Sequence, residues 1–377
     1  MAGARRTGIL VIAYVADRVA FGYGSEVALR RLFRFFAKIV KWLIVAAICL
    51  EILSFLAITA SNFILYGRLR EGGRAVYDPY TLFLQEEGVR PTANNSHSQD
   101  SKKNRILWLF GGSTIRGATP SDNKTIPSFL AGFLNSNQQD LHFTVVNFGV
   151  DSFNSLLETK YLQKLLIESP EMPDFIIFYD GANDASYFAQ HRDPYGHHGF
   201  RRARSLIESY YKSWFGLLKP LNAAIYSSFS KELYDKINQV WVPIEPDSPA
   251  LKDLVTGAEK RYDHVNKLAK CFGAEFILFF QPILWVEECQ VSPVIRSAEK
   301  DSIVDAERFS TMRQNFATPY LAFLDRLSGK PYFVNFRNVL CRREVAAYQP
   351  DGVHLTDAGR RMIAEQIYSI LKQRTSK

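Results

Sequence analysis

The stretch RILWLFGGST, residues 105–114, decides the fold. Arg105–Phe110 is a short apolar run with no polar alternation, the pattern of a strand buried on both faces. It breaks at Gly111-Gly112 and continues into Ser113-Thr114, a small, polar turn where such a strand would hand over to a helix. Runs of the same kind recur at Phe143–Phe148, Asp174–Tyr179, Glu275–Gln281 and Tyr332–Phe336. Between them lie segments of helical period: Ile126–Leu134, Ser155–Ile167, Leu251–Cys271, Phe309–Leu327 and, closing the chain, Thr356–Leu371. Alternation of buried strands with helices predicts a parallel sheet covered on both faces, a three-layer α/β/α sandwich over residues 104–377. One segment is too long for a structureless loop: the insertion at about 185–250 is expected to be partly helical.

Upstream, the chain changes character. Residues 1–41 hold eight Lys and Arg against Asp17 and Glu26, a net of +6 out of +8 for all 377 residues. The basic excess is local, and no basic stripe or recognition motif elsewhere supports a nucleic-acid partner. From Trp42 to Tyr66 the sequence is almost wholly apolar and long enough to cross a hydrocarbon core of roughly 30 Å. The cationic prelude predicts a cytoplasmic N-terminus and an extracytoplasmic, periplasmic remainder in a single-pass inner-membrane protein; Arg68, Arg70 and Arg74 weaken that asymmetry without reversing it. A cleaved signal peptide is the alternative, disfavoured by the length of both prelude and span. Glu51 is the one carboxylate in the span; either it is protonated or lies near an interface, or it faces a partner helix of a membrane protein. Residues 67–103, ending in a polar tract, read as a juxtamembrane linker.

In a sheet of this kind ligands gather beyond the carboxyl ends of the strands. The polar clusters found there are Gly111-Gly112-Ser113, Asn147-Phe148-Gly149, Gly181-Ala182-Asn183-Asp184 and, before the last helix, Asp351-Gly352-Val353-His354. Taken singly each could be a helix cap, a turn or a structural histidine. Together they supply a nucleophile, a base, an orienting carboxylate and hydrogen-bond donors. A serine hydroxyl needs a base within hydrogen-bond reach, and an imidazole accepts and returns a proton near neutrality. A carboxylate three residues before it can fix its tautomer.

These four blocks, in this order and at these boundaries, resemble those of the SGNH (GDSL-type) hydrolases over about residues 105–371. The resemblance implies a flavodoxin-like parallel sheet, a Ser113-His354-Asp351 triad and an oxyanion hole from Ser113 N–H, Gly149 N–H and the Asn183 amide. The family's Gly-Asp-Ser stands here as Gly111-Gly112-Ser113, a departure that leaves the triad untouched. The implied activity is a serine esterase or acyltransferase acting on ester groups, O-acetyl groups of a carbohydrate or envelope polymer being the preferred substrate, without cofactor or metal. The competing reading is a non-catalytic scaffold subunit of a membrane-bound polysaccharide assembly complex.

His197, His198 and Arg201, in the insertion directly after the Asn183 block, are candidate glycan contacts, although a solvated basic lip explains them equally well. Their spacing matches no strong zinc pattern. Of the four cysteines, Cys49 lies in the span and Cys271 reads as a buried helix residue. Cys289 and Cys341 both follow strands and could pair in an oxidising compartment.

Overall fold

A computed structural model of the chain describes residues 4–66, 75–95, 103–136, 141–212, 216, 219–240, 242–299 and 309–375. It begins with one helix, α1 (Ala4–Tyr66), within which Arg30–Ser61 is long and apolar enough to cross a membrane, at a mean hydropathy of 2.5. Trp42, Leu43, Leu50, Leu53 and Leu56 on it are all exposed. Glu51 finds its partners in this same chain: it accepts hydrogen bonds from the N–H groups of Phe229 and Ser230 and from Ser230 Oγ at 2.6 Å. A carboxylate facing the first N–H groups of a helix is satisfied by unpaired donors and by the helix dipole together.

The α/β domain is built on a five-stranded parallel sheet in the order β4-β3-β5-β6-β7. Its strands are β3 (Lys103–Gly111), β4 (Leu141–Asn147), β5 (Phe175–Asp180), β6 (Glu275–Phe280) and β7 (Phe333–Asn335). The apolar run of 105–110 is buried because successive side chains point to opposite faces and both faces are covered. Leu107 and Leu109 pack in one core with Leu130, Leu134, Ile363 and Ile367. Trp108 and Phe110 enter the other, with Phe148, Tyr161, Phe178 and Phe276. The first face is covered by α3 (Ile126–Ser136) and by α12 (Asp357–Thr375). The second is covered by α4 (Ser155–Glu168), α5 (Ala182–His191), α9 (Pro249–Cys271) and α11 (Ser310–Leu327). A four-residue helix, α2 (Ser113–Arg116), follows β3. The insertion folds as α6 (Phe200–Lys212), α7 (Lys219–Tyr226) and α8 (Phe229–Val240), and α10 (Pro293–Glu299) follows β6.

Within residues 67–103, expected as a linker, the structure describes 75–95 and 103, and residues 67–74 lie outside the described residues. A hairpin, β1 (Ala75–Asp78) with β2 (Leu82–Gln85), precedes a segment that covers the edge of the sheet. Asn95 exchanges both hydrogen bonds with the backbone of Val145 on edge strand β4, and Arg90 donates to the carbonyls of Arg116, Gly117 and Thr119. Pairing an open strand edge with side-chain amides blocks its use by another chain. Residues 96–102, the rest of the polar tract, lie outside the described residues.

Cys289 and Cys341 are joined by a disulfide, whereas Cys271 is exposed rather than buried. Cys271 is the last residue of α9, where the buried stripe has already ended at Ala269.

Candidate active site

β3 has β4 on one side and β5 on the other, so the chain leaves it in one direction and later returns on the opposite side. The crevice beyond such a switch point is where an α/β sheet can hold a ligand. Ser113 stands there, as the first residue of α2. Its N–H opens a helix and so has no intrahelical acceptor.

His354 reaches it from the far end of the sequence. Ser113 Oγ lies 2.7 Å from His354 Nε2, and His354 Nδ1 lies 2.5 Å from Asp351 Oδ2. A proton on Nδ1, donated to the carboxylate, leaves Nε2 as the acceptor for the serine hydroxyl. The other carboxylate oxygen, Asp351 Oδ1, accepts from the N–H groups of Val353 and His354 at 2.9 and 2.8 Å. Burial works to raise the Asp351 carboxyl, but the bond to His354 and those two amides outweigh it and hold it below its usual range.

The turn carrying these two residues is fixed from below. Gly352 has φ +67°, and a Cβ there would meet Trp285 Nε1 at 2.6 Å, so glycine serves both the backbone and the close approach. Leu284 N–H donates to Gly352 O, Gly352 N–H to Gln349 O, and Gln349 N–H to His354 O. A buried ionic cluster holds the preceding segment: Arg343 bonds both Glu287 and Glu299, and Ala347 N–H donates to Glu299 Oε1. The Cys289–Cys341 bridge ties the same two loops covalently.

Of the expected oxyanion donors, Asn183 is brought beside the nucleophile. Its Nδ2 donates to Phe153 O at 2.5 Å and occupies the space a side chain at residue 112 would need. Gly149 is placed otherwise. Its N–H donates to Asn147 Oδ1 at 3.0 Å and its Cα packs against the backbone of α2, so that donor is committed inside the protein. Asn147 in turn donates to Ile115 O, locking α2 to β4.

Ser152, to which the sequence reading gave no role, is the alternative. It holds φ +68°, which a non-glycine residue adopts only under constraint, and its N–H has no hydrogen-bond acceptor among the described residues. Its carbonyl accepts from Tyr187 OH at 3.0 Å. Nothing in the residue type announces a left-handed conformation, so only the position, in the polar turn after β4, could have flagged it.

The insertion residues are partly absorbed by the fold. His197 Nδ1 bonds His198 O, His198 packs edge-on to Phe83, and Arg201 donates to Gln190 O. Asn154 Nδ2 donates to Gly196 O, which fastens the start of the insertion to the β4–α4 loop. Burial, then the charges of Arg201 and His197, push His191 down to about 4. Among the described residues no group of three or more His, Cys, Asp or Glu is arranged to hold a metal ion.

No protein-family signature and no curated protein matches the chain. Solved structures do. A member of the lipolytic G-D-S-L family from Veillonella parvula is 13% identical over 71% of this chain and 98% of its own, at a TM-score of 0.37. The acetyl xylan esterase AlAXEase is 12% identical over 70% and 98%, at 0.38. The acetylxylan esterase Axe2 from Geobacillus stearothermophilus is 14% identical over 71% and 94%, at 0.35. Scores this low carry no function across. What the chain's own structure adds is placement: the four blocks that resemble those of the SGNH hydrolases stand at the carboxyl ends of β3, β4 and β5 and in the turn before α12.

Proposed function

We propose that the chain is a serine esterase of the SGNH type, acting by acyl transfer through Ser113. The observation that carries this is the continuous hydrogen-bond chain Ser113 Oγ–His354 Nε2, His354 Nδ1–Asp351 Oδ2. As Ser113 Oγ attacks the ester carbonyl, His354 Nε2 takes its proton, and the Asp351 carboxylate stabilises the imidazolium. The oxyanion is received by Ser113 N–H and Asn183 Nδ2, with Ser152 N–H as third donor. Each such donor is worth about 2.7–4 kcal/mol in the transition state. His354 then returns its proton to the departing alkoxide, leaving an acyl group on Ser113. A water, or a sugar hydroxyl in the acyltransferase variant, repeats the sequence in reverse.

The substrate class supported by the surroundings is an O-acetylated glycan. Arg and aromatic groups of the insertion, beginning with His197, His198 and Arg201, lie in the segment fastened beside the β4–α4 loop. Helix α1 supports anchorage in a membrane, and the basic residues before the span support an extracytoplasmic catalytic domain.

The test is a fluorophosphonate probe on the full chain. Labelling of Ser113, abolished in Ser113→Ala together with hydrolysis of p-nitrophenyl acetate, is the expected result. Absence of labelling in a folded protein would sink the esterase reading.

A further inference from the structure

Behind the site lies a carboxyl group that the triad does not use. Glu158, on α4, is fully buried, and among the described residues no donor reaches either of its oxygens. A buried carboxylate left without partners is strongly disfavoured. Its neighbours make matters worse. Asp180, the last residue of β5, and Asp184, on α5, are the acidic neighbours that act on the Glu158 carboxyl, Asp180 the more strongly. Both are buried as well.

Each of these acids except Glu158 has its own donors. Asp180 Oδ2 accepts from Tyr262 OH at 2.9 Å. Asp184 accepts from Ser155 N–H at 3.0 Å and Ser155 Oγ at 2.6 Å. Among the described residues Arg261, on α9, is the cation that acts on Asp180, and it donates to Ser155 Oγ at 3.2 Å. Ser155 comes from α4 itself, and Tyr262 from α9 beside Arg261. Two carboxylates in contact are both acceptors, and a hydrogen bond between them exists only when one carries a proton. Burial, followed by the charges of Asp180 and Asp184, pushes the Glu158 carboxyl well above its usual range, in the same direction as the geometry.

The place of this cluster gives it a role. Asp180 and Asp184 bracket the turn Gly181-Ala182-Asn183, whose Gly181 holds φ +122° against the ring of Phe280. Asn183 is the amide beside Ser113. We infer that Glu158 is a positioning residue: as a neutral acid it donates its proton to Asp180, and this shared proton fixes the turn that presents Asn183 to the oxyanion. The inference rests on the esterase reading for its effect on rate, though the shared proton itself does not depend on it.

Two measurements on the full chain in detergent test it. Infrared spectra at neutral pH should contain the C=O stretch of a buried protonated carboxyl, shifted in D2O and absent from Glu158→Gln. In kinetics with p-nitrophenyl acetate, Glu158→Ala should lower kcat roughly tenfold to a hundredfold with KM little changed, the signature of a misplaced transition-state group. Glu158→Gln, whose amide can still donate to Asp180, should restore most of that loss. It should also remove the reversible alkaline decline that the wild type shows as the shared proton is lost. A wild-type spectrum without the protonated-acid band overturns the inference, and so does a Glu158→Gln protein as impaired as Glu158→Ala. Should Glu158→Ala not fold, the band and the pH profile of Glu158→Gln decide alone. If no form turns over the ester or labels at Ser113, the esterase reading fails, while the band still reports the proton.

Discussion

Gly112→Ala is the sharpest probe of how the site is assembled. The backbone at Gly112, φ −76° and ψ −150°, is open to any residue, so alanine brings no conformational penalty of its own. Its Cβ, however, would overlap Asn183 Nδ2 and come within 3.2 Å of Phe153 O. The overlap is closer than van der Waals contact by roughly an ångström, and the amide has to withdraw by about that much. It cannot do so and keep its 2.5 Å bond to Phe153 O. Neither His354 nor Asp351 is among the atoms that Cβ would meet. The expected loss is that of one oxyanion donor, about 2.7–4 kcal/mol or a factor of roughly 100–1,000 in kcat. KM for a small ester should move little, since the interaction exists only in the transition state. Steady-state hydrolysis of p-nitrophenyl acetate measures this, with the thermal transition as a check on folding. A folded Gly112→Ala protein whose kcat stays within about threefold of wild type would remove Asn183 from the oxyanion site.

Two further outcomes follow from the surroundings of the site. The Cys289–Cys341 bridge closes a loop with a sequence separation of 52. On the chain-entropy account it is worth about 4 kcal/mol, so reduction, or Cys289→Ser with Cys341→Ser, should lower the urea midpoint read by tryptophan fluorescence; an unchanged midpoint would contradict it. For Glu158 the sign of the pH effect is fixed by linkage. Its carboxyl is raised in the folded chain and ordinary, near 4.5, in the unfolded one, so above that value the folded state holds a proton the unfolded state lacks. Raising the pH through this window favours unfolding, and the stability of Glu158→Gln relative to wild type should grow from pH 5 to pH 8. A difference that shrinks over that range would refute the assignment.

The parts of the fold that were legible share one physical property, burial on both faces. Residues 105–110, 174–179 and 275–281 read as strands because a parallel sheet covered by helices leaves no polar alternation to confuse them. The hairpin of β1 and β2 has four-residue strands in a stretch flanked by charge and turn residues, too short to generate a pattern. The work of Arg90 and Asn95 on the sheet edge is long-range and invisible to local reading. In the candidate site, residue type pointed to Ser113, Asp351, His354 and Asn183, whose side chains the structure brings together. It could not foresee where the Gly149 N–H is directed, because a backbone donor is used by whichever acceptor stands nearest, here Asn147. It passed over Ser152 because conformation, not composition, sets that residue apart.

The sequence separation of 241 between Ser113 and His354 also imposes an order in time. A ribosome adds about 5–20 residues per second, so the serine is made roughly 12–48 s before the imidazole that activates it. Throughout that interval β3 and α2 can form without any acyl chemistry, since neither the base nor its carboxylate yet exists. On the proposed reading the chain is thus inert while it is being made, and the serine gains its base only when the final turn closes onto Leu284 and Trp285.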